Sequence, residues 1–443
     1  MKTPGVFFLA FRNILGRKSD ERDLARRTLH GAVLSVAVSM IPLVVTLVVS
    51  DGMINGITSR YVELSSYHLQ CVPYFVRTEC ELASAAESLR KIPGVRGAWP
   101  ETQAVGIAFA KGVRSGAMVR AVDPGFLEDP GTREYLSLAE GEAKFSGPND
   151  VLLGSELARD LNASVGDTVS LISVRSRRGD SIIPRVTVFR VRGIVSSGYR
   201  DLDARWFIVP RYASARYLTP ETSRTILGVK VEDPYTSLSG VMDNARISLS
   251  DGWGVYSWSE TEKNLYESFR TTRYLLLLIM GLTVAVAAVN ISSALITLVM
   301  ERSREIAILK SLGASPADIS KVFLTGGMLL GFAGSLLGIV LGTAAAVNIN
   351  ALITGLERAL GALEGVFNLL AYPFVSGGAK AAYAPAVVRL LNPDYYLEKI
   401  PVVLDFWTLA GILAASLFLS YLASLLPARK AAALRPLEIL RKH

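Results

Sequence analysis

Residues 31–50 read GAVLSVAVSMIPLVVTLVVS and contain no charged side chain. A helix needs about 20 predominantly apolar residues to cross the hydrocarbon core of a bilayer, so this stretch predicts a membrane-spanning helix, residues 31–51. A secretory signal would have a shorter apolar core near the start of the chain and a small-residue cleavage site. Because thirty residues precede the stretch and Asp51-Gly52-Met53 follows it, we expect the helix to be retained as an anchor.

Three more apolar stretches follow, at residues 274–300, 322–347 and 406–427. Half of the chain is hydrophobic and only 19% is charged, which is too apolar for an ordinary soluble protein of 443 residues. The stretch 322–347 carries several glycines spaced four residues apart, and small residues at this spacing allow helices to pack closely in lipid. The sequence therefore predicts an integral membrane protein with four transmembrane α-helices.

Lysine and arginine residues next to a membrane span tend to stay in the cytoplasm. They cluster in residues 1–30, in the connection 301–321 and in the tail 428–443. We therefore place these three segments in the cytoplasm, the first as an amphipathic segment on the inner membrane surface, and residues 52–273 and 348–405 outside it. Lipid headgroups and orientation then explain the net charge of +8, and no nucleic acid is expected.

The segment 52–273 is long enough to fold as a domain with its own core. Short alternating stretches predict strands at 104–110, 116–122, 151–154, 168–174, 186–195 and 206–209. Residues 81–92 and 155–161 predict helices, with Ser155 as the N-cap of the second. The fold class is thus an integral membrane protein with a large α+β extracytoplasmic domain between the first and second spans.

The connection between the strands at 168–174 and 186–195 is basic, with apolar residues near its end. A protruding hairpin that engages a periplasmic partner is one interpretation, and an ordinary solvated turn is the other, which sequence statistics favour. The candidate partner residues are Arg175, Arg177, Arg178, Ile182, Ile183 and Pro184.

The sequence does not support a catalytic or metal site. Three histidines and two cysteines are too few and too scattered for a zinc site, and no specific catalytic cluster can be assembled. Cys71 and Cys80 could pair outside the cytoplasm, or they could be two small apolar residues. No Gly-x-x-x-x-Gly-Lys-Ser/Thr loop occurs, so we expect no cofactor on this chain and ATP-Mg on a separate ATPase.

Residues 301–323, ERSREIAILKSLGASPADISKVF, are the most informative of the chain. A charged start precedes an apolar turn, and Gly313 followed by Ser315-Pro316 predicts the end of one helix and the start of the next. The segment resembles the coupling helix of the FtsX/MacB-like permease superfamily. The resemblance implies ATPase-coupling roles for Glu301, Arg302, Arg304, Glu305, Lys310, Gly313 and Ala314.

Two further motifs carry the resemblance. Residues 426–441, LPARKAAALRPLEILR, are similar to the closing pattern of the superfamily. Residues 392–401, NPDYYLEKIP, and the exit of the first span resemble the lipoprotein-releasing (Lol C/E type) branch more than the macrolide-exporter or cell-division branches. Residues 348–391 are longer than this family usually has.

The resemblance implies a non-catalytic permease subunit of an ABC transporter in the bacterial inner membrane, with both termini cytoplasmic. Such a permease extracts lipoproteins from the outer leaflet and passes them to a periplasmic lipoprotein carrier. Its expected partners are a cytoplasmic ABC ATPase dimer and a second permease subunit, either a paralogue or a copy. Two alternatives stay open: a mechanotransmission permease that activates a periplasmic partner, and an efflux permease of the macrolide-exporter type.

A pocket for acyl chains should be apolar, because it must replace the lipid environment of the substrate. The candidates, all near the exit of the first span, are Val44, Leu47, Val48 and Met53. Plain lipid contact is the competing interpretation of these four residues.

Overall fold

The computed structural model describes residues 23–176, 182–235, 238–249, 251–371 and 401–435. The predicted amphipathic segment before residue 23, most of the 392–401 motif and the tail after residue 435 lie outside the described residues. The chain divides into two compact units, and each is considered by itself. The helical unit comprises described residues 23–52, 270–371 and 401–435, and the α/β unit comprises those between 53 and 269.

The helices, in chain order, are α1 (Asp23–Tyr61), α2 (Glu79–Arg90), α3 (Pro124–Glu128), α4 (Pro130–Tyr135), α5 (Ser155–Asp160), α6 (Arg200–Asp203), α7 (Leu238–Ser248), α8 (Trp258–Thr261), α9 (Lys263–Glu301), α10 (Ser303–Ser311), α11 (Pro316–Val347), α12 (Ile349–Ala371) and α13 (Phe406–Ala433). The strands are β1 (Leu69–Pro73), β2 (Val95–Ala110), β3 (Val113–Val122), β4 (Ser137–Gly141), β5 (Asp150–Gly154), β6 (Thr168–Ser176), β7 (Ile182–Ser196), β8 (Trp206–Pro210), β9 (Ser223–Val231) and β10 (Trp253–Ser257). A π-helical turn, Val62–Ser66, follows α1, and a 3₁₀ helix, Arg211–Arg216, follows β8.

Within the described residues, four helices are long and apolar enough to cross a membrane, and they contain the four predicted spans. They are α1, α9, α11 and α13, and the first two extend well beyond their apolar segments. The fourth span was expected to end at Pro427, and helix α13 itself continues past that residue to Ala433. A proline removes one hydrogen bond from a helix interior, and neighbouring helices can accommodate that loss in a membrane.

Helix α11 packs closely against α1 because its glycines put no side chain between the two backbones. A Cβ added to Gly338 would lie 2.5 Å from the Cβ of Met40, which is closer than real atoms approach. Two other glycines meet α1 in the same way, each one helical turn away: Gly334 and Gly342. The predicted glycine groove is therefore confirmed, with α1 as one partner.

A second side of α11 packs against α13 through small hydroxyl residues. Gly331 lies directly against Ser420, and the Oγ atoms of Ser335 and Ser416 are 2.5 Å apart. Hydroxyls of this kind hydrogen-bond between helices where no water is present. A polar contact also joins α9 to α1, since Asn290 Nδ2 donates to Ser35 Oγ at 2.7 Å.

The described strands of the α/β unit form one sheet of ten strands, in the order β10-β1-β9-β2-β3-β8-β5-β7-β4, with β6 pairing both β2 and β7. The pairings β2-β3-β8-β5-β7-β6-β2 close a ring of six strands. Apolar side chains of these strands fill a common core, among them Val119, Leu171, Phe189 and Phe207. All six predicted strands lie within this ring.

Helices α2 and α7 cover the other part of the sheet, β9-β1-β10, and share a second core with it. Thr78 begins α2 with a capping box, in which it and Glu81 exchange hydrogen bonds. The predicted cap of α5 was wrong: Gly154 occupies the N-cap position. Ser155 Oγ donates instead to Asp203 Oδ2 at 3.1 Å, a partner distant in sequence.

Candidate coupling helix and buried charge network

The short helix α10 joins two candidate spans, and local backbone chemistry sets its limits. Arg302 leaves the helical conformation between α9 and α10. Gly313 has a φ of +96°, which glycine adopts without steric penalty. Ser315 then caps α11 by accepting a hydrogen bond from the backbone N–H of Asp318 at 3.1 Å. The helix end at Gly313 and the restart at Ser315-Pro316 are therefore confirmed.

The two faces of α10 differ. Ile306 and Ala307 are buried, and Ile306 belongs to the core of the helical unit. Arg304, Ile308 and Leu312 repeat every four residues and are exposed, and Leu312 is 79% exposed. Exposed large apolar residues rimmed by charged ones are typical of a protein interaction site. The charged rim consists of Glu301, Arg304 and Glu305, and Glu305 forms a 3.0 Å ion pair with the half-buried Arg302.

Lys310 points away from this exposed face. Its Nζ donates to the carbonyl oxygens of Ala432 at 2.8 Å and Leu434 at 2.6 Å, at the carboxyl end of α13. The last carbonyls of a helix have no partner within the helix, and a lysine there also interacts favourably with the helix dipole. Lys310 therefore fastens α10 to the end of α13.

The α/β unit contains a buried charge cluster that sequence analysis missed. The side chain of Lys230 in β9 is completely buried, and its Nζ lies 2.9 Å from Asp129 Oδ2, 2.6 Å from Thr132 Oγ1 and 3.1 Å from Glu63 Oε2. Burial lowers the pKa of Lys230, and the negative charges of Glu63 and Asp129 oppose that shift. Arg96 is a second cation at the same two carboxylates, 3.3 Å from Asp129 Oδ1, and removing either cation would leave negative charge in excess in this buried cluster.

Glu63 lies in the π-helical turn after α1 and extends the same cluster. Its Oε1 is 3.0 Å from His68 Nε2, and Arg96 donates to its Oε2 at 2.8 Å. The other ring nitrogen of His68 accepts the backbone N–H of Val231 at 2.8 Å. The turn is thus bonded to strands β2 and β9 through charged side chains.

A second buried pair holds the same turn to β3. Arg120 forms two hydrogen bonds with Glu101, both 2.7 Å long, and a third with the carbonyl oxygen of Leu64 at 2.5 Å. Burial would lower the pKa of Arg120, but Glu101 beside it raises that pKa above its ordinary value. Burial and the charge of Glu101 also raise the pKa of Tyr67, whose hydroxyl donates to Glu101. Residues 62–66 are therefore fixed to three strands of the sheet.

Two families cover most of the chain between them. The family model described as the MacB-like periplasmic core domain matches residues 31–243, and the one described as the FtsX-like permease C-terminal matches residues 277–436. The chain belongs to the FtsX/MacB-like permease superfamily.

Relatives with curated names resemble this permease along nearly their whole length. "Lipoprotein-releasing system transmembrane protein LolC" of Xylella fastidiosa is 28% identical over 93% of this chain and 92% of its own. LolC of Neisseria meningitidis is 26% identical over 93% of both chains, and LolE of Haemophilus influenzae is 26% identical over the full length of both.

Other similarities cover less of the permease. The macrolide export ATP-binding/permease protein MacB of Bdellovibrio bacteriovorus is 28% identical over 42% of this chain and 31% of its own. The crystal structure of the periplasmic region of MacB from Actinobacillus actinomycetemcomitans covers 45% of this chain with 16% identity and a TM-score of 0.30.

The predicted pocket residues of the permease do not line an open surface in the single chain. Val44, Leu47 and Val48 are buried in the core of the helical unit, and Met53, in the α/β unit, is half-buried. A substrate could reach the first three only if the helices around them separated. Their role in a pocket stays a prediction.

The predicted basic hairpin connects β6 and β7, which pair as far as Ser176 opposite Ile182. Arg175 pairs with Ile183, and Pro184 is exposed. Arg177 and Arg178 lie outside the described residues. Whether a partner binds this hairpin stays a prediction.

The two cysteines of the permease are both free in the structure. Cys71 is buried in β1, where burial raises the pKa of its thiol to about 12, whereas Cys80 is exposed on α2. The described residues contain no group of three His, Cys, Asp or Glu side chains that could hold a metal ion.

Proposed function

We propose that this permease is the transmembrane subunit of an ABC transporter that releases lipoproteins from the outer leaflet of the bacterial inner membrane. The observation that carries the proposal is the similarity to LolC and LolE, which extends over nearly the full length of this chain and of each of those relatives. The match to MacB covers less than half of this chain, so the efflux alternative has weaker support.

Lipoprotein release requires an energy source, which the proposal assigns to a separate ATPase dimer that binds ATP-Mg. Moving acyl chains out of a bilayer costs about 0.8 kcal/mol per CH₂. For a lipoprotein with several chains, the total cost of extraction is far greater than the available thermal energy. In the proposed cycle, a second permease subunit completes the pocket, and a periplasmic carrier accepts the released lipoprotein.

The exposed face of α10 is the proposed docking surface for the ATPase. Leu312 and Ile308 supply apolar anchors, and Arg304 and Glu305 supply charges for orientation. The buried face and the Lys310 hydrogen bonds hold α10 against the helical unit. Movement of the docked ATPase would then pull on α13 as well as on α11.

Replacing Lys310 by methionine should loosen α10, because it removes two hydrogen bonds from a charged donor while keeping the apolar stem. Loss of about 1.5 kcal/mol, the lower value for a hydrogen bond to a charged group, corresponds to about tenfold faster local amide exchange in Ser303–Ser311. Hydrogen–deuterium exchange followed by mass spectrometry should show this faster exchange. We also expect less lipoprotein to be released per ATP hydrolysed.

Two further variants interpret that result. Lys321→Met removes an exposed lysine at the start of α11 and should change neither the amide exchange of α10 nor the amount of lipoprotein released per ATP. Lys310→Arg keeps a charged donor and should therefore change both quantities less than Lys310→Met does. Unchanged exchange and unchanged release per ATP in Lys310→Met would contradict a fastening role for this residue.

The proposed orientation can be tested with thiol labelling of spheroplasts. A membrane-impermeant maleimide should label Cys80, which is exposed on α2. In a Cys80→Ser background, Leu312→Cys should react only after the membrane is opened. Cys71 should remain unlabelled in both cases because it is buried and its thiolate is disfavoured. Labelling of Leu312→Cys in intact spheroplasts would refute a cytoplasmic α10.

Co-purification distinguishes the proposal from its alternatives. The permease, isolated from its native membrane in detergent, should carry acylated proteins and an ABC ATPase, both identified by mass spectrometry. Recovery of an outer-membrane channel without lipoproteins would support efflux instead. Recovery of a periplasmic hydrolase without lipoproteins would support mechanotransmission.

A further inference from the structure

Helix α12 presents an apolar surface that the rest of the described chain leaves uncovered. Leu352, Leu356 and Leu363 are 51, 53 and 65% exposed. They are spaced by four and seven residues and therefore share one side of the helix. Large apolar side chains exposed in a row along a helix indicate a surface that another apolar medium covers.

The opposite side of α12 is a narrow polar stripe. Asn350, Thr354, Glu357 and Gly361 follow one another at intervals of four, three and four residues, which places them on one line along the helix. Polar positions are confined to this line and its edge at Arg358, so the apolar arc is the wider of the two. A helix with such a division suits a boundary between water and an apolar phase.

The place of α12 in the chain identifies that boundary. Helix α11, a candidate span, ends at Val347, and α12 begins at Ile349. Asn348 ends α11, with its backbone N–H and its Nδ2 both bonded to the carbonyl oxygen of Ala344. Helix α12 therefore starts where a membrane-spanning helix leaves the bilayer, at the end opposite α10, and it is not itself among the candidate spans of the described chain.

We propose that α12 lies in the interface of the bilayer and binds the lipid surface with the side formed by Leu352, Leu356 and Leu363. Interfacial helices sink their apolar face about 5–10 Å into the boundary between headgroups and acyl chains. The polar stripe then faces water and the headgroups. This inference needs only that α11 crosses the membrane, and it does not depend on which substrate the permease moves.

The full-length permease in lipid nanodiscs provides the test. In the Cys80→Ser background, an environment-sensitive fluorophore is attached to single cysteines on the two sides of α12. Leu356→Cys and Leu363→Cys report on the apolar side, and Thr354→Cys and Gly361→Cys are matched positions on the polar stripe. Each sample is quenched by nitroxide lipids labelled near the headgroup, by nitroxide lipids labelled deep in the acyl chain, and by aqueous iodide.

We expect the fluorophores on the apolar side to emit at shorter wavelength and to lose fluorescence to the shallow nitroxide. Those on the polar stripe should lose fluorescence to iodide.

Three outcomes would overturn the proposal. Equal iodide quenching at all four positions would place α12 in water. A steady change from shallow to deep quenching along the helix would mean that it spans the bilayer. Protection of the apolar side from every quencher would mean that protein covers it, either residues 372–400 or a second subunit.

Discussion

Replacing Lys230 by methionine is expected to lower the free energy of unfolding of the α/β unit by about 3–5 kcal/mol, the range for breaking a buried ion pair. The variant removes one of the two cations that contact Glu63 and Asp129 and leaves them only Arg96 as a charged partner, while Asp129 stays almost fully buried. Lys230 Nζ also lies 5.0 Å from the centre of the Phe126 ring, a contact that loses its charge in the variant. The loss is large because two carboxylates then share the single cation Arg96, and one of them, Asp129, stays buried.

Urea unfolding of the full-length permease in detergent measures this effect through tryptophan fluorescence. Four of the five tryptophans lie in the α/β unit, and the centre of the Trp99 ring is 6.0 Å from Lys230 Nζ. The matched control is Lys91→Met, because Lys91 forms only an exposed ion pair with Glu87 at 3.7 Å. Exposed pairs contribute about 0–1 kcal/mol, so equal midpoints for the two variants would show that the buried cluster does not stabilise the unit.

Replacing Gly338 by leucine should disrupt the helical unit, at a cost of about 3 kcal/mol, the upper value for ordinary overpacking. Even a Cβ at this position would lie 2.5 Å from Met40 Cβ and 2.8 Å from the carbonyl oxygen of Ala37. Backbone atoms cannot move aside as a side chain can, so α11 must separate from α1.

Thermal aggregation of the detergent-purified permease should show this loss as a lower transition temperature. Gly281→Leu is the control, because no atom lies within 4 Å of a Cβ at Gly281 in α9. Tryptophan fluorescence should still show a folded α/β unit in Gly338→Leu. A transition temperature equal to that of the control would mean that α1 and α11 are not closely packed in the protein.

Features that depend on neighbouring residues were predicted correctly from the sequence. Apolar length alone identifies the four candidate spans, and glycine spacing indicates the close packing of α11. The end of α10 and the start of α11 follow from Gly313 and Ser315, each of which acts on the backbone within three residues. Alternation of apolar residues identified the strands of the six-strand ring.

Features that depend on distant residues were missed or mistaken. Lys230 gave no signal in the sequence, because its partners Glu63 and Asp129 are far away along the chain. Strands β1, β9 and β10 were missed for a similar reason, since they are completed by pairing between the two ends of the unit. Ser155 was taken for a cap because no local pattern indicates its bond to Asp203.

ATP-driven transfer of a lipoprotein from membrane to carrier is the most direct test of the proposed function. Proteoliposomes would contain the permease, its partner subunits and an acylated lipoprotein, with a purified periplasmic carrier outside. We predict that the lipoprotein enters the soluble, carrier-bound fraction with ATP but not with a non-hydrolysable analogue, and that Leu312→Asp abolishes this transfer. Full ATP hydrolysis by the wild-type complex while the lipoprotein stays in the membrane would contradict the proposal.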